Sequence, residues 1–262
     1  MRVSIITVAR NAAATIGDTL RSVAAQSHGD IEHLVIDGAS TDATAAIVAA
    51  EATPHTRFVS EPDGGLYDAM NKGIARATGS LIGFLNADDL FCRTDAISLL
   101  AAGIGDADAV SAGVAIVAAA DIGRLSRAYP SRPFAPWMLR FGHMPPHPGF
   151  YATRRAFDRI GPFDPAIRIG ADFEWMVRFF AVHGLRAEPV SETVVTLRDG
   201  GVSNAGFASR VAITAEAVAS LRRHGVTTAA PVVWSKYAVK ILQYWRAAHQ
   251  WPASPDVRWP AG

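Results

Sequence analysis

The sequence predicts an α/β protein built on a mostly parallel sheet with helices on its faces. Three observations carry that expectation. β-Branched runs alternate with helical patterns over the first hundred residues, polar residues gather where the strands end, and 50% of the 262 residues are hydrophobic against 19% charged. Lys+Arg 25 against Asp+Glu 24 leaves a net charge of +1. That is far from the basic excess of a nucleic-acid binder, and the apolar content is too high for a disordered chain. The single cysteine, Cys92, excludes an intrachain disulfide and a multi-cysteine zinc site and fits a reducing, cytoplasmic setting. The apolar start meets Arg10 too soon for a signal sequence. The uncharged stretch between Asp108 and Asp121 is shorter than the roughly 20 residues a membrane span needs.

The elements follow in order. Val3–Ala9 is a β-branched run suited to a buried parallel strand. Ile16, Leu20, Val23 and Ala24 then recur at helical spacing, and a second strand covers Ile31–Asp37. Ser40, Thr41 and Asp42 are cap residues for a helix over Ala43–Ala52. A third strand, Arg57–Glu61, enters the turn Pro62-Asp63-Gly64-Gly65, and a helix over Tyr67–Ala77 leads to a strand over Ser80–Asn86. Beyond Asp89 the pattern predicts a helix over Thr94–Ala102 and one or two strands over Val110–Ala119. Tyr129–Pro148 carries Pro130, Pro133, Pro136, Pro145, Pro146 and Pro148, too dense for a core element and typical of a functional loop. Helices are expected over Thr153–Ile160 and Asp172–His183, strands over Leu185–Val190 and Thr193–Arg198, and helices over Ala205–His224 and within Pro231–Gln250.

Ligands of an open α/β sheet sit outside the carboxyl ends of the strands. There the sequence places Thr7, Arg10 and Asn11, then Asp37, then Glu61 and Asp63, then Asn86, Asp88 and Asp89. Carboxylates converging at neighbouring strand ends suit a ligand that offers hydroxyls, N–H groups or a cation. No glycine-rich phosphate cradle follows the first strand. A divalent cation held by Asp88 is the economical partner for anionic phosphate. Each residue also has a plainer reading. Asp37 can cap the next helix, Asp63 can serve a turn, and Asp88-Asp89 can cap the helix before Ala96.

Four segments together resemble the successive motifs of family 2 glycosyltransferases. They are Val35-Ile36-Asp37-Gly38-Ala39-Ser40-Thr41-Asp42-Ala43-Thr44, Ser60-Glu61-Pro62-Asp63-Gly64-Gly65-Leu66-Tyr67-Asp68-Ala69-Met70-Asn71-Lys72-Gly73, Ala77-Thr78-Gly79 and Phe84-Leu85-Asn86-Ala87-Asp88-Asp89. The branch they are most similar to is the WfgS/WcaE-like one, associated with bacterial surface polysaccharides. Weaker matches continue at His147-Pro148-Gly149-Phe150, Gly161-Pro162-Phe163-Asp164, Ala171-Asp172-Phe173 and Gly200-Gly201-Val202-Ser203.

The resemblance implies a GT-A fold, a three-layer α/β/α sandwich, over residues 1–204, with a nucleotide-binding half over about 1–100 and an acceptor half over about 101–204. Residues 205–262 would be a C-terminal helical appendage. It implies a nucleotide-sugar donor linked to UDP, GDP or dTDP, a Mg²⁺ or Mn²⁺ ion and inversion at the anomeric carbon. The acceptor would be a saccharide or a polyprenyl-linked sugar. By position, Thr7 and Asp37 would contact base and ribose, with Asn11 beside them. Asp63, Asn71 and Lys72 would line the nucleotide pocket, with Lys72 facing the diphosphate. Asp88 would hold the metal, and Asn86 stands where the family's D-x-D motif has its first acid. The general base falls on Asp172, which local sequence alone reads as a helix cap; Glu174 is the substitute if the register shifts by two. His147, Tyr67 and Arg198 would touch donor phosphate or acceptor.

The C-terminal segment adds a second feature. Trp234, Tyr237, Ile241, Tyr244 and Trp245 recur at helical spacing, with Lys236, Lys240 and Gln243 on another face. Such a helix either lies in a membrane interface, peripheral to the cytoplasmic side, or packs on the catalytic domain. Two rival functions stay open. A sugar-1-phosphate nucleotidyltransferase would need an Arg/Lys-bearing glycine loop that Val8-Ala9-Arg10-Asn11-Ala12 does not provide, and a catalytically silent homologue has a foothold in Asn86.

Overall fold

The computed structural model describes residues 1–118, 121–199 and 207–237. β1 (Val3–Ala9) and β2 (Ile31–Asp37) are buried along their whole length, and this is why both read as near-continuous apolar runs. β1 pairs in parallel with β2 on one side and with β4 (Leu81–Phe84) on the other, and β3 (Thr56–Ser60) extends the parallel run beyond β2. Helices α1 (Ile16–Ala24), α2 (Thr44–Glu51) and α3 (Leu66–Arg76) make the crossovers. Ile16, Leu20 and Val48 pack against Val35 on one face, while Met70 and Tyr67 pack against Ile6, Val8, Leu34 and Ile36 on the other. The alternation of side chains along each strand thus serves two cores.

The rest of the sheet is antiparallel or mixed. After β5 (Leu90–Phe91) and α4 (Ala96–Gly103), the chain forms β6 (Ala109–Ala118), β7 (Asp121–Tyr129), β8 (Phe150–Thr153) and β9 (Ala187–Arg198). The order is β3-β2-β1-β4-β8-β6-β9-β5, with β7 paired to β6. β8 runs antiparallel to both β4 and β6, and β9 runs parallel to β6. α5 (Arg154–Ile160), α6 (Ala171–Val177) with its π-helical extension over Arg178–Val182, and α7 (Phe207–Arg223) complete the face that carries α3.

Several expectations are corrected here. Where one or two strands were expected, Ala109–Ala118 is one strand, β6, and the unforeseen β7 returns beside it. β8 precedes the helix expected from Thr153. The two strands expected over 185–198 are one, because a register shift around Gly113 absorbs the polar pair Ser191-Glu192 without ending the ladder. The proline-rich stretch holds two short 3-10 segments, Pro136–Phe141 and His147–Gly149. A last helix, α8, spans 230–237. It packs on the domain, with Val233 fully buried in the same core as Tyr67, Phe163 and Trp175. The positions beyond 237 invoked for membrane contact, Ile241, Tyr244, Trp245, Lys240 and Gln243, lie outside the described residues, as do Gly200-Gly201-Val202-Ser203. Among the described residues no helix is long and apolar enough to cross a membrane.

Candidate active site

β2 and β3 lie to one side of β1, whereas β4 returns on its other side. That reversal opens a crevice at the carboxyl ends of β1 and β4, where an open sheet binds its ligands. At the end of β2, Asp37 is almost fully buried. Its Oδ2 accepts from Ser40 N at 3.0 Å and Ser60 Oγ at 2.6 Å, and its Oδ1 accepts from Ser40 Oγ. Asn11, in the left-handed region at φ 51, ties the first loop to the second: its Oδ1 accepts from Thr41 N at 2.9 Å. Asp63 closes the group. Its Oδ1 accepts from Gly65 N at 2.9 Å, and its Oδ2 would stand 2.3 Å from a Cβ on Gly38. Gly38 is therefore a steric requirement, because the carboxylate of Asp63 rests on its Cα.

The loop after β4 brings Asn86, Asp88 and Asp89 forward. Asp88 is exposed, while Asp89 is buried and burial, then the neighbouring Asp88 charge, pushes its carboxyl well above the usual carboxylate range. Arg198, from the end of β9, donates to Asp88 O at 3.0 Å and pairs with Asp18 of α1. It fastens the loop, and its guanidinium is occupied by protein groups. Asn86 Oδ1 is a buried acceptor without a partner.

A second cluster approaches from the later part of the chain. His147 stacks on Phe84, the last residue of β4, at a ring separation of 5.5 Å, so the proline-rich stretch reaches the same sheet end. Burial holds its imidazole below the usual range, with the Asp172 charge acting against that shift. Asp172 sits in the first turn of α6. Its Oδ1 accepts from Tyr67 OH at 3.2 Å and from Phe173 N at 2.8 Å. Tyr67 lies in the first turn of α3, just past the carboxyl end of β3. Burial, then the charge of Asp172, drives its phenol pKa upward, so the hydroxyl stays a donor. Glu216 of α7 is a positioning residue the sequence reading passed over. Its carboxylate accepts from Ile169 N at 3.2 Å and Gly170 N at 3.0 Å and so satisfies the start of α6 from outside.

Four expected site residues have other partners. Thr7 is fully buried, and its hydroxyl lies 2.9 Å from His33 Nε2, so its side chain has no surface to offer a ligand. Asn71 clamps Phe163 reciprocally, Nδ2 to O and Oδ1 to N, both at 2.9 Å. Lys72 donates to Pro62 O at 2.6 Å and pairs with Asp68 at 3.3 Å and Glu61 at 3.5 Å, so its ammonium is held by α3 and the preceding loop. Glu174 is buried between Arg178 at 2.9 Å and His224 at 2.6 Å and is no substitute base. In each case the residue type matched, but the side chain is consumed by packing that only the folded chain creates.

Among the described residues no three His, Cys, Asp or Glu side chains converge into a ready cation site. The orphaned Asn86 Oδ1 beside exposed Asp88 nonetheless fits an ion held by one or two protein oxygens, with substrate phosphates and water completing the shell, as Mg²⁺ prefers.

Strand-end carboxylates at the switch point, with a carboxylate from a separate helix beside them, make this the ligand-binding end of an open α/β sheet. The chain belongs to glycosyl transferase family 2, whose family model matches residues 4–182. It is 32% identical over 205 residues, 77% of this chain and 78% of the relative, to a PGL/p-HBAD biosynthesis glycosyltransferase of Mycobacterium bovis. It is 30% identical over 224 residues, covering 77% of this chain and 62% of the relative, to the succinoglycan biosynthesis protein ExoO of Rhizobium meliloti. Among solved structures, S. aureus TarS in complex with UDP-GlcNAc superposes at TM-score 0.62 with 18% identity, covering 83% of this chain and 67% of that one. Glucosyl-3-phosphoglycerate synthase from Mycobacterium tuberculosis, in complex with Mn²⁺, UDP and glucosyl-3-phosphoglycerate, superposes at 0.60 with 20% identity, covering 87% and 81%. The protein is thus an enzyme, a family 2 glycosyltransferase of GT-A fold.

Proposed function

We propose that this protein is a metal-dependent, inverting glycosyltransferase of the WfgS/WcaE-like kind. It moves a sugar from a UDP-, GDP- or dTDP-linked donor to a saccharide or polyprenyl-linked acceptor in surface-polysaccharide assembly, peripheral to the cytoplasmic face of the membrane. The observation that carries this reading is the pairing of Asp172 with Tyr67 at the sheet end that also presents Asp63, Asn86 and Asp88. We assign the catalytic domain to 1–204 and a C-terminal appendage to 205–262, of which α7 supports α6 through Glu216.

The chemistry follows from the free valences. Asp172 Oδ1 takes both local hydrogen bonds, from Tyr67 OH and Phe173 N, so Oδ2 is the oxygen that receives the acceptor hydroxyl proton as that hydroxyl attacks the anomeric carbon. The single hydroxyl proton of Tyr67 is shared between Ile169 O and Asp172 Oδ1, which ties the carboxylate to the loop before α6. Asp63 and the loop tied by Asn11, Asp37 and Ser40 hold the nucleoside. Asp88 and Asn86 Oδ1 are the groups that would hold Mg²⁺ or Mn²⁺, and a bound ion there neutralises charge developing on the leaving diphosphate. The mannosyltransferase PcManGT, in complex with GDP-Man and Mn²⁺, covers 95% of this chain at TM-score 0.57 and supports a divalent ion by fold analogy. Exposed Trp137 and Phe141, with rings 6.0 Å apart on the proline-rich stretch, supply an aromatic surface for the acceptor.

A donor screen read as nucleoside-diphosphate release, with and without Mn²⁺, tests the proposal. The wild type should release one nucleotide in a metal-dependent way, and Asp88→Ala should lose that dependence. Absence of release with every donor, or undiminished Mn²⁺ dependence in Asp88→Ala, refutes it. A silent homologue would show no metal-coupled nucleotide affinity at all.

A further inference from the structure

Lysine is among the residues least often buried, yet Lys236 on α8 is only 8% exposed. The helix that carries it is firmly seated. Val233 is fully buried, Thr228 Oγ1 donates to Arg140 O at 2.7 Å, and Arg140 Nε donates to Thr227 O at 3.0 Å. Gly142, at φ +70, ends the Pro136–Phe141 segment against α8: a Cβ there would stand 2.8 Å from Val233 Cγ1 and 3.3 Å from Lys236 Nζ. The lysine stem is thus threaded past a residue that must lack a side chain.

Its ammonium has an incomplete set of partners. The Tyr237 ring lies 5.4 Å away, and the carboxylate that acts on it is Asp172. Burial pulls its pKa down, and the Asp172 charge opposes that shift. The Asp172 charge reaches the ammonium, yet no ion pair joins the two groups among the described residues. Two other cations of the site are committed, Arg198 to Asp18 and Asp88 O, Lys72 to Glu61, Asp68 and Pro62 O, whereas Arg10 at the end of β1 is exposed to solvent. A desolvated ammonium without a contacting anion is costly and favours binding one.

We propose that Lys236 is a further substrate-binding residue of the transfer site, its ammonium taking a phosphate oxyanion of the reacting pair. This rests on the transferase reading above. The oxyanion belongs either to the donor diphosphate or to the phosphate of a polyprenyl-linked acceptor. In both cases the docked C-terminal helix completes the active site.

The test uses the full chain as wild type, Lys236→Met, Lys236→Gln and Lys236→Arg. Each is titrated with UDP, GDP and dTDP with and without Mn²⁺, and separately with a polyprenyl phosphate in detergent micelles. Loss of a charge-assisted hydrogen bond should weaken one of these ligands about 10- to 100-fold in the Met and Gln variants, with substantial recovery in Arg. A loss confined to nucleoside diphosphate assigns the contact to the donor, and one confined to polyprenyl phosphate assigns it to the acceptor. Melting curves identify any variant that fails to fold, and the Met and Gln forms serve as replacements for each other. Unchanged affinity for both ligand classes in a folded Met or Gln variant overturns the role of Lys236 alone. A wild type that binds no nucleoside diphosphate overturns the transferase reading and this proposal with it.

Discussion

Gly38→Ala isolates the contact between Gly38 and Asp63 in the proposed nucleotide pocket. The added Cβ would meet Asp63 Oδ2 at 2.3 Å, whereas ordinary contact begins at 3.4 Å, so the carboxylate must retreat by about 1.1 Å (3.4 − 2.3). Asp63 is a short side chain whose other oxygen is bonded to Gly65 N, and it cannot retreat without straining that bond. The stability cost should be small, about 1 kcal/mol, because the displaced group is only half-buried. The functional cost should be larger. A displacement of about 1 Å in a positioning group is worth on the order of 100-fold, so nucleoside-diphosphate affinity and turnover should fall by roughly that factor. Calorimetric titration and a melting curve measure the two effects separately. The decisive assay is a double-mutant cycle with Asp63→Ala: once the carboxylate is gone, Gly38→Ala should cost little more. If it remains equally harmful in that background, the contact with Asp63 is not what the glycine protects.

Three further outcomes follow from named contacts. Asp172→Asn should depress kcat by about 10²- to 10⁴-fold while nucleoside-diphosphate affinity holds; near-normal turnover moves the base elsewhere. Asn71→Ala strips partners from both Phe163 N and Phe163 O and should cost about 2–3 kcal/mol, seen as a lower melting temperature, with nucleotide affinity unchanged in the folded enzyme. A selective loss of nucleotide affinity would restore it to the donor site. His33 is buried and held at about 4 rather than 6.5, so the native state refuses a proton that the unfolded chain takes up. Its contribution to stability is therefore intact above about pH 6.5 and is lost as pH falls toward 4, by roughly 3 kcal/mol. Denaturant unfolding at pH 7 and pH 4 should show a shallower pH dependence in His33→Gln, and an equal slope in both proteins rejects the assignment.

The parallel half of the sheet was legible in the chain. β1 and β2 are buried on both faces and announce themselves as unbroken β-branched runs, and the polar residues at their ends mark the crevice. Local pattern could not separate β8 from the helix after it, because a four-residue strand whose partners are 70 residues upstream and 40 residues upstream has no periodicity of its own. At the site, the strand-end pattern named Asp37, Asp63, Asn86 and Asp88 and the family resemblance named Tyr67, His147 and Asp172; the fold brings the last three together, and the roles of all seven are proposals. The sequence reading did not foresee that Thr7 meets His33, Asn71 clamps Phe163 and Lys72 is held by Pro62 O, Asp68 and Glu61, because a motif records residue type and spacing but not which protein group already holds the side chain.

What the amino-acid order determined alone was the set of strand ends and the residue types delivered to them, since periodicity and turn chemistry act within a few residues. Three things were decided only in the folded chain: Asp172 meeting Tyr67 across 105 positions, Glu216 holding the start of α6, and Lys236 buried by the docking of α8 rather than presented to a membrane. These depend on which helix faces pack together, and long-range packing is set by the whole core, so no local stretch of residues encodes it.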